Sequence, residues 1–235
     1  RTDLFLEAIK IRPDIFINYG LSILDTENRE RFIMELLKNS KENPYFDSFN
    51  IDKRNLGGIN YEGIFDLILN DLKYLVSLNI KTKYLILNIV SSCKLTHAIP
   101  FLIEIIKVPD EIVSIKKDCA LTISEIFDLQ YWEQVMEIAF IDCEDENIGD
   151  KHFFRSIAFE LLYKCKKIDA HKIIEIVPDI FGVEYDIYFK LFLNRIVPEY
   201  YNEEDTLAYL KWIGKNDEYK FYYLKDIRDF ILIVF

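Results

Sequence analysis

Ile80-Lys81-Thr82-Lys83-Tyr84-Leu85, Ile115-Lys116-Lys117-Asp118-Cys119-Ala120 and Phe154-Arg155-Ser156-Ile157-Ala158-Phe159 write nearly the same phrase three times. Each copy is an apolar-basic pair, two spacers, and a run that sets apolar residues on one helical face. The copies start at positions 80, 115 and 154, so they are 35 and 39 residues apart, within the period range of stacked helix pairs. The phrase concerns packing. No catalytic or cofactor constellation accompanies it, so it bears on architecture far more than on function.

Around these copies, helices are expected to follow one another closely from Tyr61 onward, over 61–78, 80–92, 96–107, 110–127, 130–141, 149–165, 169–181, 184–196, 203–214 and 217–234. The clearest follows Pro109. Asp110 is expected to cap it, with Glu111 in its first turn, and Ile112, Ile115, Cys119, Ile123 and Ile126 recur every three to four residues. Val113 and Ala120 widen the stripe, while Lys116, Lys117, Asp118 and Glu125 take the solvated side. Burying such a stripe is worth roughly 1.5–3 kcal/mol per large side chain, so stacking rather than helix propensity must hold the array. Pro100 falls about one turn into the helix from Thr96, where a lost backbone hydrogen bond should bend it.

Upstream, the first 39 residues read as three helical segments. Pro13 and Asp14 open the second; Asp25 or Thr26 caps the third, which carries Phe32, Ile33, Leu36 and Leu37 on one face. Between Ser40 and Gly63 the period breaks at Asn43-Pro44, Asp47-Ser48 and Leu56-Gly57-Gly58. This reads as a loop or short irregular insert, a candidate binding loop and a seam.

At these residues the chain resembles HEAT-type repeats. Ile99-Pro100-Phe101-Leu102 is similar to the kinked first helix of that family. Ile115-Lys116, Cys119-Ala120, Thr122-Ile123-Ser124 and Ile126 are similar to the second, and Phe154-Arg155, Ala158-Phe159 and Leu161-Leu162 repeat it. In the first copy Tyr84 and Leu85 replace the small residues, and after Gly182 the phrase dissolves into aromatics. The resemblance implies an all-α fold, an α-α superhelix: a HEAT-like solenoid of antiparallel helix pairs whose extended surface binds other macromolecules. The expected organisation is an N-terminal helical segment with an irregular loop over 1–60 and a repeat array over 61–235.

Composition narrows the function classes. The chain has 235 residues, half of them hydrophobic, with 40 acidic against 29 basic residues and a formal net charge of −11. That charge opposes binding to a phosphate backbone or an anionic membrane surface, and suits a basic partner or plain solubility. Only 7 Gly and 6 Pro leave little punctuation for an all-β fold. Cys93, Cys119, Cys143 and Cys165 lack metal-ligand spacing and read as small buried hydrophobes in a reducing cytoplasm. No apolar run reaches the roughly 18 residues of a membrane span, and no signal peptide is evident. The start at Arg1 without Met and the apolar end Phe230-Ile231-Leu232-Ile233-Val234-Phe235 suggest an excerpt of a longer polypeptide.

Candidate chemistry is sparse. The acidic group Asp142, Glu144, Asp145, Glu146 and Asp150 lacks the order of a calcium loop and reads as a solvated connection. His97, His152 and His171 do not pair at ligand spacing, and no GxGxxG, P-loop or GxSxG occurs. No catalytic residue, cofactor or metal site is expected. Aromatic residues crowd the tail from Phe181 to Tyr223, either filling the last layers of the solenoid or forming a partner surface around Tyr200, Tyr201, Trp212, Tyr222 and Tyr223.

The expectation is a non-enzymatic protein-interaction scaffold. One version is the sensor or linker region of a STAND/NACHT-type NTPase. The alternatives are a free-standing acidic immunity-type binder of a basic protein and a HEAT-like DNA glycosylase, the last opposed by the chain's charge.

Overall fold

The computed structural model describes residue 17, residues 24–46, 51, 53–139, 148–173, 175, 202–205, 207, 208 and 211, of which 148–152 as backbone. Among these residues every regular element is helical and no strand occurs. The chain divides into two compact units, Arg1–Phe127 and Asp128–Phe235. No helix of the described residues is long and apolar enough to cross a membrane.

The first unit contains α1 (Thr26–Glu42), α2 (Lys53–Leu56), α3 (Ile64–Lys73), α4 (Ile80–Ser92), α5 (Ile99–Lys107) and α6 (Val113–Ile126). Helix α1 starts where expected: the Asp25 carboxylate accepts the Asn28 N–H at 2.9 Å. Its Phe32, Ile33, Leu36 and Leu37 are buried, as their period requires. Helix α4 is the hub, with α1, α2, α3 and α6 packed against it and α5 against α6. Leu85, Ile86, Ile89 and Val90 of α4 meet a core that includes Ile68, Leu102, Ile115, Cys119 and Ile123, all buried. The 40–63 insert carries α2 and a 3-10 turn, Gly57–Ile59, which bury Leu56 and Ile59. Gly57 belongs there because a Cβ would meet the Ser92 carbonyl at 3.3 Å.

Three local expectations are corrected. Helix α6 begins at Val113, with Ile112 extended before it and no side-chain cap from Asp110. The Glu111 carboxylate pairs with a tertiary partner and also accepts the N–H of Ile112, which stands outside the helix and half-exposed. Lys116 is buried rather than solvated, because its ammonium reaches a backbone carbonyl near the start of its own helix. Pro100 does not bend a helix. A 3-10 turn over Thr96–Ala98 precedes α5, and the proline occupies the helix's opening turn, where its missing N–H costs nothing.

The second unit contains α7 (Trp132–Ala139) and α8 (Ile148–Lys164), packed on each other. Phe154, Ile157, Ala158, Phe159, Leu161 and Leu162 of α8 are buried. Lys167 lies over the Trp132 ring, 4.5 Å from its centroid. Asp205 is a buried acceptor that joins three pieces of chain: it receives the Tyr163 hydroxyl at 2.9 Å, the Ala170 N–H at 3.0 Å and the Asn202 amide at 2.8 Å.

The basic residues of the repeated phrase share one role. Lys81 of α4 donates to the Pro44 carbonyl, just beyond the end of α1. Lys116 of α6 donates to the Pro109 carbonyl, just beyond the end of α5, at 3.4 Å. Arg155 of α8 donates to the carbonyl of Ala139, the last residue of α7, at 3.1 Å. A helix C-terminus carries partial negative charge that suits a nearby cation, and for Arg155 the acceptor is itself one of the unsatisfied carbonyls of the last turn. Helices α4 and α8 end alike, with Lys94 and Lys166 at positive φ (54° and 58°). Beyond each, an N–H reaches five residues back, Leu95 to Val90 at 3.0 Å and Lys167 to Leu162 at 2.9 Å.

Candidate interaction surface

The two ends of the first unit differ in what they leave exposed. At one end, α1 stops at Glu42, and Asn43 organises a turn. Its side-chain oxygen accepts the Tyr45 N–H at 2.9 Å and its carbonyl accepts the Phe46 N–H at 3.1 Å. Phe46 is buried and anchors the turn, while Tyr45 at its tip is 90% exposed. The lysine bond to Pro44 ties this turn to the first turn of α4.

The start of α4 is fixed from several sides. Asn79 caps it, accepting the Thr82 N–H at 3.0 Å and donating to the Ser40 carbonyl of α1 at 3.1 Å. The Ser40 and Thr82 hydroxyls meet at 3.0 Å in the interior. Lys41 and Asp71 join the last turns of α1 and α3 at 2.7 Å. Beneath them, Lys83 Nζ lies 2.8 and 2.7 Å from the two oxygens of Glu111, with side chains 6% and 1% exposed. Glu111 also accepts the Ile112 N–H at 2.9 Å. This buried pair holds the α5–α6 connection against α4.

On top of that pinned base, large apolar side chains face outward. Tyr74 is 62% exposed, and Val76, Ile80 and Ile112 are also exposed. Tyr74 and Val76 lie in the connection from α3 to α4; Ile80 opens α4; Ile112 precedes α6. With Tyr45 they crown one end, where α1 and α3 finish and α4 and α6 begin. A rigid tyrosine presented on a fixed turn binds at low entropic cost, which is why such residues anchor interfaces.

At the opposite end the polar groups are spent internally. Lys53 reaches both oxygens of Glu125 at 2.7 and 2.5 Å, and the Ser91 hydroxyl donates to the same carboxylate. Lys94 donates to the Glu125 carbonyl at 3.0 Å, and the Ser92 hydroxyl to that of Lys53 at 2.6 Å. Burial alone would raise the Glu125 carboxyl, but hydrogen bonds from Lys53 and Ser91 and the charges of Lys53 and Lys94 hold it below its ordinary value. Asp118 is shifted upward by burial, partly offset by Lys53. A serine, a lysine and two oppositely shifted carboxylates are the components of acid-base chemistry. Here Ser91 is buried and both oxygens of Glu125 are occupied, so the group acts as a clasp across α2, α4 and α6.

The remaining candidates fall as follows. Cys93 and Cys119 are buried, and burial pushes the Cys93 thiol up to about 12 and that of Cys119 up as well, so both stay protonated. Cys165 is half-buried. His97 is exposed, its ring 5.7 Å from that of Phe65, and His171 is exposed. Among the described residues no group of His, Cys, Asp and Glu is placed to hold a metal. Tyr200, Tyr201, Trp212, Tyr222 and Tyr223 lie outside the described residues, as do Cys143 and the side chains of the acidic 142–150 stretch. The Tyr45 surface was not singled out from sequence, although the Asn43-Pro44 break marked its loop. No protein-family model, no curated protein and no solved structure matches the chain.

Proposed function

We propose that the chain is a non-enzymatic protein-interaction scaffold, a HEAT-like solenoid of helix pairs whose first unit docks another protein through its apolar end. The observation that carries this reading is the exposed Tyr45, Tyr74, Val76, Ile80 and Ile112 set on a base fixed by Lys83–Glu111 and Lys81–Pro44. What supports the helix-pair part is that Lys81, Lys116 and Arg155 each donate to a carbonyl at or just past the end of a packed helix. In the same reading the segment serves a larger intracellular protein, with the sensor or linker of a STAND/NACHT-type NTPase as its most specific form.

The test is site-specific photo-crosslinking. A crosslinking residue at Tyr45 or Tyr74 should trap a protein in cells of the source, while the same residue at Lys53, on the opposite end, should not. Equal trapping at both ends, or at neither, would remove the apolar end as the docking surface.

A further inference from the structure

We draw no further inference here: the strongest candidate, the open polar groove along the last turns of α1 lined by Glu35, Lys38, Asn39, Glu42 and Asn43, is a cluster of charged and amide side chains from one helix and the residue that ends it, with no second observation that points to a ligand.

Discussion

The two ends of the first unit are built from the same helices and put their side chains to opposite uses. At the α2 end, Lys53, Ser91, Lys94 and Glu125 bond to one another and bind the elements together. At the Tyr45 end, the Lys83–Glu111 pair and the Ser40–Thr82 contact are buried beneath the surface, and large apolar side chains stand outside beside the exposed Lys41–Asp71 pair. A surface whose polar groups are satisfied internally has little to offer a partner. An exposed apolar surface on a rigid base costs little to order when it binds.

The strongest way to break the comparison is to remove the base. Glu111→Ala leaves the Lys83 ammonium buried without its partner and should cost about 3–5 kcal/mol, read from urea unfolding. Adding Lys83→Met should restore much of that loss; a single variant as stable as wild type would mean the pair anchors nothing.

Next in size, Lys166→Gly relieves a left-handed backbone position and should gain about 1 kcal/mol. Lys94→Gly, at the clasped end, should gain less because it also loses the bond to the Glu125 carbonyl. Equal gains would show that this bond contributes nothing.

Lys53→Ala opens the clasp at a half-exposed site and should cost about 1 kcal/mol or less. The loss is pH-dependent. Glu125 titrates below its ordinary 4.5 in the folded chain, so its stabilisation is present above that value and lost on further acidification. Wild type and variant should therefore converge in acid, and a difference that stays constant to low pH would disprove the assignment. The smallest effect belongs to Tyr45→Ser, which should change stability by no more than about 0.5 kcal/mol. A large loss would mean that the ring packs inside rather than faces out.

Sequence was informative where the governing physics is local. The period of Phe32, Ile33, Leu36 and Leu37, the Asp25 cap and the bounds of α4 at 80–92 all depend on neighbours within a few residues, and all three agree with the structure. Glu111 was misread because its role is tertiary, and Lys116 because its long side chain folds back to the Pro109 carbonyl seven residues earlier. Glu111 answers to Lys83, 28 residues away, while also accepting the N–H of Ile112, which stands exposed just ahead of the helix. Tyr45 was invisible for a related reason: Asn43-Pro44 announces a turn, but which of Tyr45 and Phe46 is buried depends on what lies beneath. The aromatic tail reads from composition either as filling of the last helical layers or as a partner surface, and its five named residues lie outside the described residues.

The lysine and arginine bonds to helix ends also bear on how this chain tolerates change in length. The three phrases are unequally spaced, yet each basic side chain finds a carbonyl at or just past the end of the helix packed on its own, which for Lys116 lies in the connection between the two. For Lys81 and Arg155, registry between partners is thus held by a bond across the pair rather than by a count of residues along the chain. A connection can then gain or lose residues while the pair keeps its alignment.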